Sequence, residues 1–257
     1  MRLAVGYPWS SPFVWTRFAE HLPNLRRPAG VDVRFLRGAG WCPARRHAHI
    51  CEQALAWGAD LILIIGADQI HPDDLLERLV ERHRQGCEVI AALVPARGFV
   101  GWQDMKPFQP MAWRLKRQTG DAAAVNQALH TPNEIEAVDV GAGELQEINF
   151  IGSGVLLFPA RLLERLPQPW FAEEVDPTTY QRTACMDTRF VWKLQEQAHA
   201  RVWLDTAIRV RHIHAFEIDE TFQDRFADWA RPGAGDPAIC MFKPAEKVAA
   251  PVTAAVA

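Results

Sequence analysis

The sequence predicts an α/β fold, with a mainly parallel mixed sheet and helices on both faces. Two observations carry this expectation. Over the first hundred residues, short apolar runs alternate with segments whose apolar residues recur at helical spacing. Helix-start and helix-stop residues punctuate those segments. Strands that alternate with helices form parallel sheets with covered faces.

The elements follow in order. "RLAVGYP" (Arg2 to Pro8) reads as a buried first strand that ends in a Gly/Pro turn. "SPFVWTRFAEHL" opens with Ser and Pro and keeps an apolar face through Phe13, Trp15, Phe18 and Leu22, as a helix does. "VDVRFLRG" alternates apolar and polar residues, the period of a strand. "CPARRHAHICEQALAWG" begins at Pro43 and stops at Gly58, which predicts a helix. "ADLILIIGAD" is a third strand, and "CEVIAALVP" is a fourth. Between them, "HPDDLLERLVERHRQG" has Pro72 in its first turn, acids early, arginines late and Gly86 as a stop.

Residues 96 to 149 are less regular, and "RQTGDAAAVNQALHTPNE" reads as a mobile loop. Strand character resumes in "ELQEINFIGSGVLLFP", and "PARLLERLP" is a short helix. A loop, a helix and a strand with a His-bearing end then follow. The tail "KPAEKVAAPVTAAVA" has a composition that frays. The expected organisation is one domain over residues 1–242 and a disordered tail over 243–257.

Composition narrows the classes. At 257 residues, 49% apolar and 23% charged, the chain can bury a large core without staples. A net charge of −3 gives no general nucleic-acid-binding surface, although "RLKRQ" and "RRHAH" leave room for a local basic patch. Five cysteines without C-x-x-C spacing argue against zinc and disulfides and for a cytoplasmic setting. No stretch approaches the length of a membrane span, and the start lacks the apolar region of a signal peptide. Ten tryptophans against two tyrosines suggest a core with aromatic walls, with a sugar or base platform as the alternative.

Candidate site residues gather at strand ends, where ligands of open α/β sheets bind. Asp68 ends the third strand; a carboxylate there suits a hard cation carrying phosphate oxygens. The competing role is a cap on the next helix. Gln69 offers a neutral ligand or a hydrogen bond to a substrate hydroxyl. Asp187 reads as a cap of the helix that it begins. In "RVRHIH", His212 and His214 fall on one face of an extended segment. Gly152, Ser153 and Gly154 either let a ligand approach the backbone or bend a strand.

Taken in order, "GADLILIIGADQIHPDDLLERL", "VIAALVPAR", "INFIGSGVLLFPARLLERLPQPWF" and "MDTRFVWKLQEQAHARVWLDTAIRVRHIH", after an Arg-bearing helix, resemble the nucleotide-sugar-dependent glycosyltransferases of the Rossmann-like GT-A fold. The family 2-like bacterial and phage members are the nearest in pattern. The resemblance spans Arg2 to His214. It implies transfer of a sugar from a nucleotide-diphosphate sugar to an acceptor hydroxyl, with inversion and with Mn²⁺ or Mg²⁺. Asp68 matches the second Asp of the family's Asp-x-Asp, while Gly66 stands at the first. That departure also fits a catalytically inactive nucleotide-sugar-binding protein on the same fold. The resemblance further implies metal binding by Asp68 with His212 or His214, and a catalytic base at Asp187. It implies donor contacts from Tyr7, Trp9, Arg45, Arg46, Gln69, Gly152, Ser153 and Gly154. The acceptor is then a glycan, a lipid, a protein or a modified DNA base.

Overall fold

The structure, a computed structural model, describes residues 1–9, 14–95, 111–116, 121–129, 134–139, 141, 143 and 145–213. These lie in one of two units, Met1–Pro95 with Pro110–Ile213. The expected boundary at residue 242 falls outside the described residues, as does His214.

The elements run β1 (Arg2–Pro8), α1 (Thr16–His21), β2 (Asp32–Gly38), α2 (Pro43–Trp57), β3 (Leu61–Ile65), β4 (Gln69–Ile70), α3 (Leu75–Arg84) and β5 (Val89–Leu93). There follow β6 (Ala112–Leu115), α4 (Ala122–Leu129), β7 (Ile135–Ala137), β8 (Leu145–Ile148), β9 (Phe150–Ile151) and β10 (Val155–Pro159). After a 3₁₀ turn over Ala160–Arg165 come β11 (Glu174–Val175), β12 (Arg182–Ala184), α5 (Met186–Glu196), β13 (Val202–Arg209) and β14 (Arg211–His212).

The central sheet has the order β2-β1-β3-β10-β5-β13-β8. Strands β1, β2, β3, β5 and β13 share one direction; β8 and β10 oppose it. β10 lies antiparallel between β3 and β5, with Val155 opposite Ile65. The start of β10 therefore sits beside the end of β3. This placement carries Gly152–Ser153–Gly154 to the rim where Gly66 and Asp68 emerge.

The two sheet faces are covered differently. Leu3, Val5, Leu61, Leu63 and Leu157 share one cluster with Phe18 of α1 and with Leu75, Leu76, Leu79 and Val80 of α3. Alternation turns Ala4, Gly6, Ile62 and Phe158 to the other face. There α2 seats Ile50 so close to Gly6 and Gly38 that a Cβ at either would overlap it, and Phe158 meets Phe190 of α5, ring centres 5.2 Å apart.

Local chemistry sets the helix ends. Cys42 Sγ accepts from Arg45 N at the start of α2, Pro43 holds the first turn, and Gly58 closes the helix at φ +73°. α3 starts three residues later than the sequence suggests. Pro72 precedes the helix, its carbonyl accepts from Leu75 N, and Asp74 occupies the cap position. α1 covers only Thr16–His21 of its longer expected span; residues 10–13 are not described.

Two expectations need correction. The segment read as a mobile loop contains α4, because Asp121 Oδ1 accepts from Ala124 N at 2.7 Å and an Ala-rich run follows. Among the described residues most tryptophans do not wall the core, although Trp203 packs against it. Among the described residues Trp170 alone is buried; Trp41 is 88% exposed, and Trp57 and Trp203 lie under arginines. Phe171, Phe190 and Phe158 supply the aromatic packing instead.

Two buried charges tie the frame. Asp205 of β13 is fully buried and accepts from Arg82 Nε at 2.8 Å, with Arg78 3.9 Å away. Lys193 of α5 donates to the carbonyls of Pro167 and Pro169, at 2.9 and 2.7 Å, and burial pushes its ammonium below the usual range.

Candidate functional site

The carboxyl ends of β3 and β13 meet at Asp68 and His212. β14 pairs with β4 in antiparallel register, His212 opposite Gln69, and Ile213 N donates to the Asp68 carbonyl at 2.7 Å. This short ladder aims the two side chains at each other. His212 Nε2 lies 3.5 Å from Asp68 Oδ1, with side-chain exposures of 13% and 24%.

The proton positions can be deduced. Pro95 O lies 2.8 Å from His212 Nδ1, and a carbonyl only accepts, so Nδ1 carries the hydrogen. In neutral His212 the Nε2 lone pair then faces a carboxylate oxygen. Two acceptors at that distance call for a proton or a cation between them. The pair therefore fits a divalent cation by its chemistry: one hard oxygen donor and one imidazole of fixed tautomer. It provides two donors only, and among the described residues no group of three or more His, Cys, Asp or Glu side chains assembles.

Gln69 is turned inward rather than toward a substrate. It is 2% exposed, and its Oε1 lies 3.2 Å from His71 Nε2. Its carboxamide covers the spaces above two glycines: a Cβ at Gly66 would stand 2.6 Å from it, and one at Gly154 2.5 Å. The position of the missing first acid is thus occupied by Gln69. His71 is pushed down to about 3, chiefly by burial and then by His21 nearby. It is a neutral donor to Gln69, and its Nδ1 has no hydrogen-bond partner.

A second cluster lies across the Gly-Ser-Gly segment. Ser153 Oγ is 3.0 Å from His47 Nε2, and His47 Nδ1 is 2.8 Å from Pro43 O. Burial holds the His47 imidazole below its ordinary range, opposed by the charge of Asp187. Asp187 sits in the first turn of α5. It is not the cap, a role taken by Cys185, whose Sγ accepts from Thr188 N. Asp187 Oδ1 is buried and has no hydrogen-bond partner. Asp68 likewise does not cap α3, which begins seven residues on.

The remaining expected donor residues have partners of their own, although the Arg46 charge also acts on His47. Arg45 pairs with Glu52 at 2.6 Å, and Arg46 Nε donates to Gly40 O at 2.9 Å. An early helix arginine opposes the dipole, and Glu52 offsets this. Tyr7 packs edge-on against Trp9 and Phe18, with ring centres 6.0 and 5.8 Å apart. A Cβ at Gly152 would meet only ordinary contacts with Met111, so that glycine is not demanded sterically.

Sequence reasoning missed His47 and His71. Both fall at inconspicuous positions, and neither has metal-ligand spacing. The available signal for His47 was its place on the helical stripe with Ile50, Cys51 and Ala54, all buried. A histidine in an apolar stripe needs polar partners.

No family model and no curated protein sequence matches the chain. Solved structures do match by shape. A197 from STIV superposes with a TM-score of 0.52 at 12% identity, over 84% of this chain and 87% of that one. The fold is Rossmann-like and of GT-A type. GalNAc-T7, solved with UDP, GalNAc and Mn²⁺, superposes with a TM-score of 0.50 at 10% identity, over 84% of this chain. This chain spans 44% of that protein. Among the described residues no helix is long and apolar enough to cross a membrane.

Proposed function

We propose that the protein is a glycosyltransferase. It moves a sugar from a nucleotide-diphosphate sugar to an acceptor hydroxyl with inversion, on a glycan, lipid, protein or modified DNA base. The carrying observation is the convergence of Asp68 and His212 at the sheet rim of a GT-A-type fold, 3.5 Å apart. Support for a metal comes from the two facing acceptor atoms, and from the Mn²⁺ in the GalNAc-T7 structure. Asp68 and His212 would hold Mn²⁺ or Mg²⁺; when bound, the ion would offset charge developing on the departing diphosphate. Asp187 takes the proton of the acceptor hydroxyl as that oxygen bonds to the anomeric carbon. The bond from the anomeric carbon to the diphosphate oxygen breaks, and the nucleoside diphosphate leaves with its electron pair.

One observation favours a second reading, a catalytically inactive nucleotide-sugar binder. Gln69 fills the space of the missing first acid. Calorimetry with UDP and UDP-hexoses, with and without Mn²⁺, tests both readings alongside a transfer assay. Binding is expected to depend on Mn²⁺ and to lose that dependence in Asp68→Asn and His212→Asn. Asp187→Asn is expected to keep binding and lose transfer by about 10²-fold or more. Absence of any nucleotide-sugar binding with Mn²⁺ present would sink the proposal. Binding without turnover favours the second reading.

A further inference from the structure

Ser153 belongs to a hydrogen-bond chain with one consistent proton arrangement. The Pro43 carbonyl can only accept, so the 2.8 Å contact places a hydrogen on His47 Nδ1. His47 is 4% exposed, and burial outweighs the opposing charge of Asp187, so the imidazole stays neutral. Its Nε2 therefore carries a lone pair. Ser153 Oγ, 3.0 Å away, must give its only proton to that lone pair. The hydroxyl is left as an acceptor, with no hydrogen to offer a ligand.

A second acceptor accompanies it. Asp187 Oδ1 is buried without a hydrogen-bond partner, and its charge acts on His47. The two helices are linked through aromatic rings: His47 lies 5.1 Å from Phe171, which stacks at 4.1 Å on Phe190 of α5. The charged groups acting on His47 are Asp187 from α5 and Arg46 from its own helix. Ser153 Oγ and Asp187 Oδ1 present lone pairs and negative charge, while the Arg46 guanidinium gives its Nε hydrogen to the Gly40 carbonyl. A phosphate or carboxylate would meet repulsion from them, whereas a hydroxyl would satisfy them.

We propose that Ser153 is a specificity-determining acceptor for a sugar hydroxyl, and that His47, held by the Pro43 carbonyl, is the positioning residue that imposes this polarity. The assignment rests on the glycosyltransferase reading and narrows it. Within Gly152–Gly154, the Ser153 side chain reads the sugar and not the diphosphate.

Two measurements test it. The first is ¹⁵N NMR of histidine-labelled protein, which needs no substrate. The expected result is His47 protonated at Nδ1 and bare at Nε2 at about pH 7.5. A hydrogen on Nε2 at that pH overturns the proposal. The second compares affinity for UDP with affinity for the UDP-hexose that the wild type binds best, with Mn²⁺ present. In Ser153→Ala the UDP-hexose is expected to weaken about 5- to 30-fold while UDP stays within about twofold. His47→Phe, which frees the serine proton, is expected to lower the same ratio. Equal weakening of both ligands, or no change in either, overturns the assignment alone. A wild type that binds neither ligand overturns the glycosyltransferase reading, and this assignment falls with it.

Discussion

Gly66→Ala probes how the strand end is built. An added Cβ lands 2.6 Å from Gln69 Cδ and Nε2, where ordinary carbon contacts begin near about 3.5 Å. The carboxamide must therefore retreat by close to an ångström. Its 3.2 Å contact with His71 Nε2 then passes out of hydrogen-bond reach. Leaving a buried amide and imidazole unpaired costs about 1–3 kcal/mol. Overpacking a closed site adds about 1–3 kcal/mol. The sum, roughly 2–6 kcal/mol, lowers Tm by about 6–18 °C at about 3 °C per kcal/mol for a chain of this size. Calorimetric unfolding measures it. The decisive comparison is the same change in a Gln69→Ala background, where only Asp68 Oδ1, 3.0 Å from the added Cβ, has to give and the cost should fall to about 1 kcal/mol or less. A Gly66→Ala variant as stable as wild type, or a cost that persists in full without Gln69, refutes this account of why glycine stands there.

Acidification should destabilise the fold through His47 and His71. Both imidazoles lie below their ordinary 6.5 in the folded state, His71 at about 3, so between these values the unfolded chain binds more protons. The stability is fully present above about pH 6.5 and is lost as pH falls. By about pH 5.5 His71 alone removes about 1.4 kcal/mol, and His71→Gln should flatten the slope in urea titrations. Asp205→Ala leaves Arg82 and Arg78 without their buried anion and should cost about 2–4 kcal/mol by denaturant unfolding. An unchanged midpoint would mean that solvent already screens the pair.

The alternation of strands and helices was legible in the chain because burial imposes period on sequence. β1, β2, β3 and β5 appear where their apolar runs predict, and α2 spans the segment between Pro43 and Gly58. Asp68 and His212 were also visible, one as a carboxylate ending an apolar strand and the other on a late extended segment. Less was legible where local signals are weak. α4 hides in a polar stretch with a single capping Asp, and residues 150 to 159 give two strands from what reads as one run.

Composition and periodicity thus determined the α/β class and the strand-end carboxylate, since both follow from near neighbours along the chain. Tertiary structure decided the contacts. The antiparallel insertion of β10 brings Gly154 beneath Gln69, the β4–β14 ladder turns His212 toward Asp68, and the Pro43 carbonyl selects the His47 tautomer. Such polar pairings join residues far apart in sequence. Hydrogen bonds depend on distance and direction in space, and neither has a period along the chain.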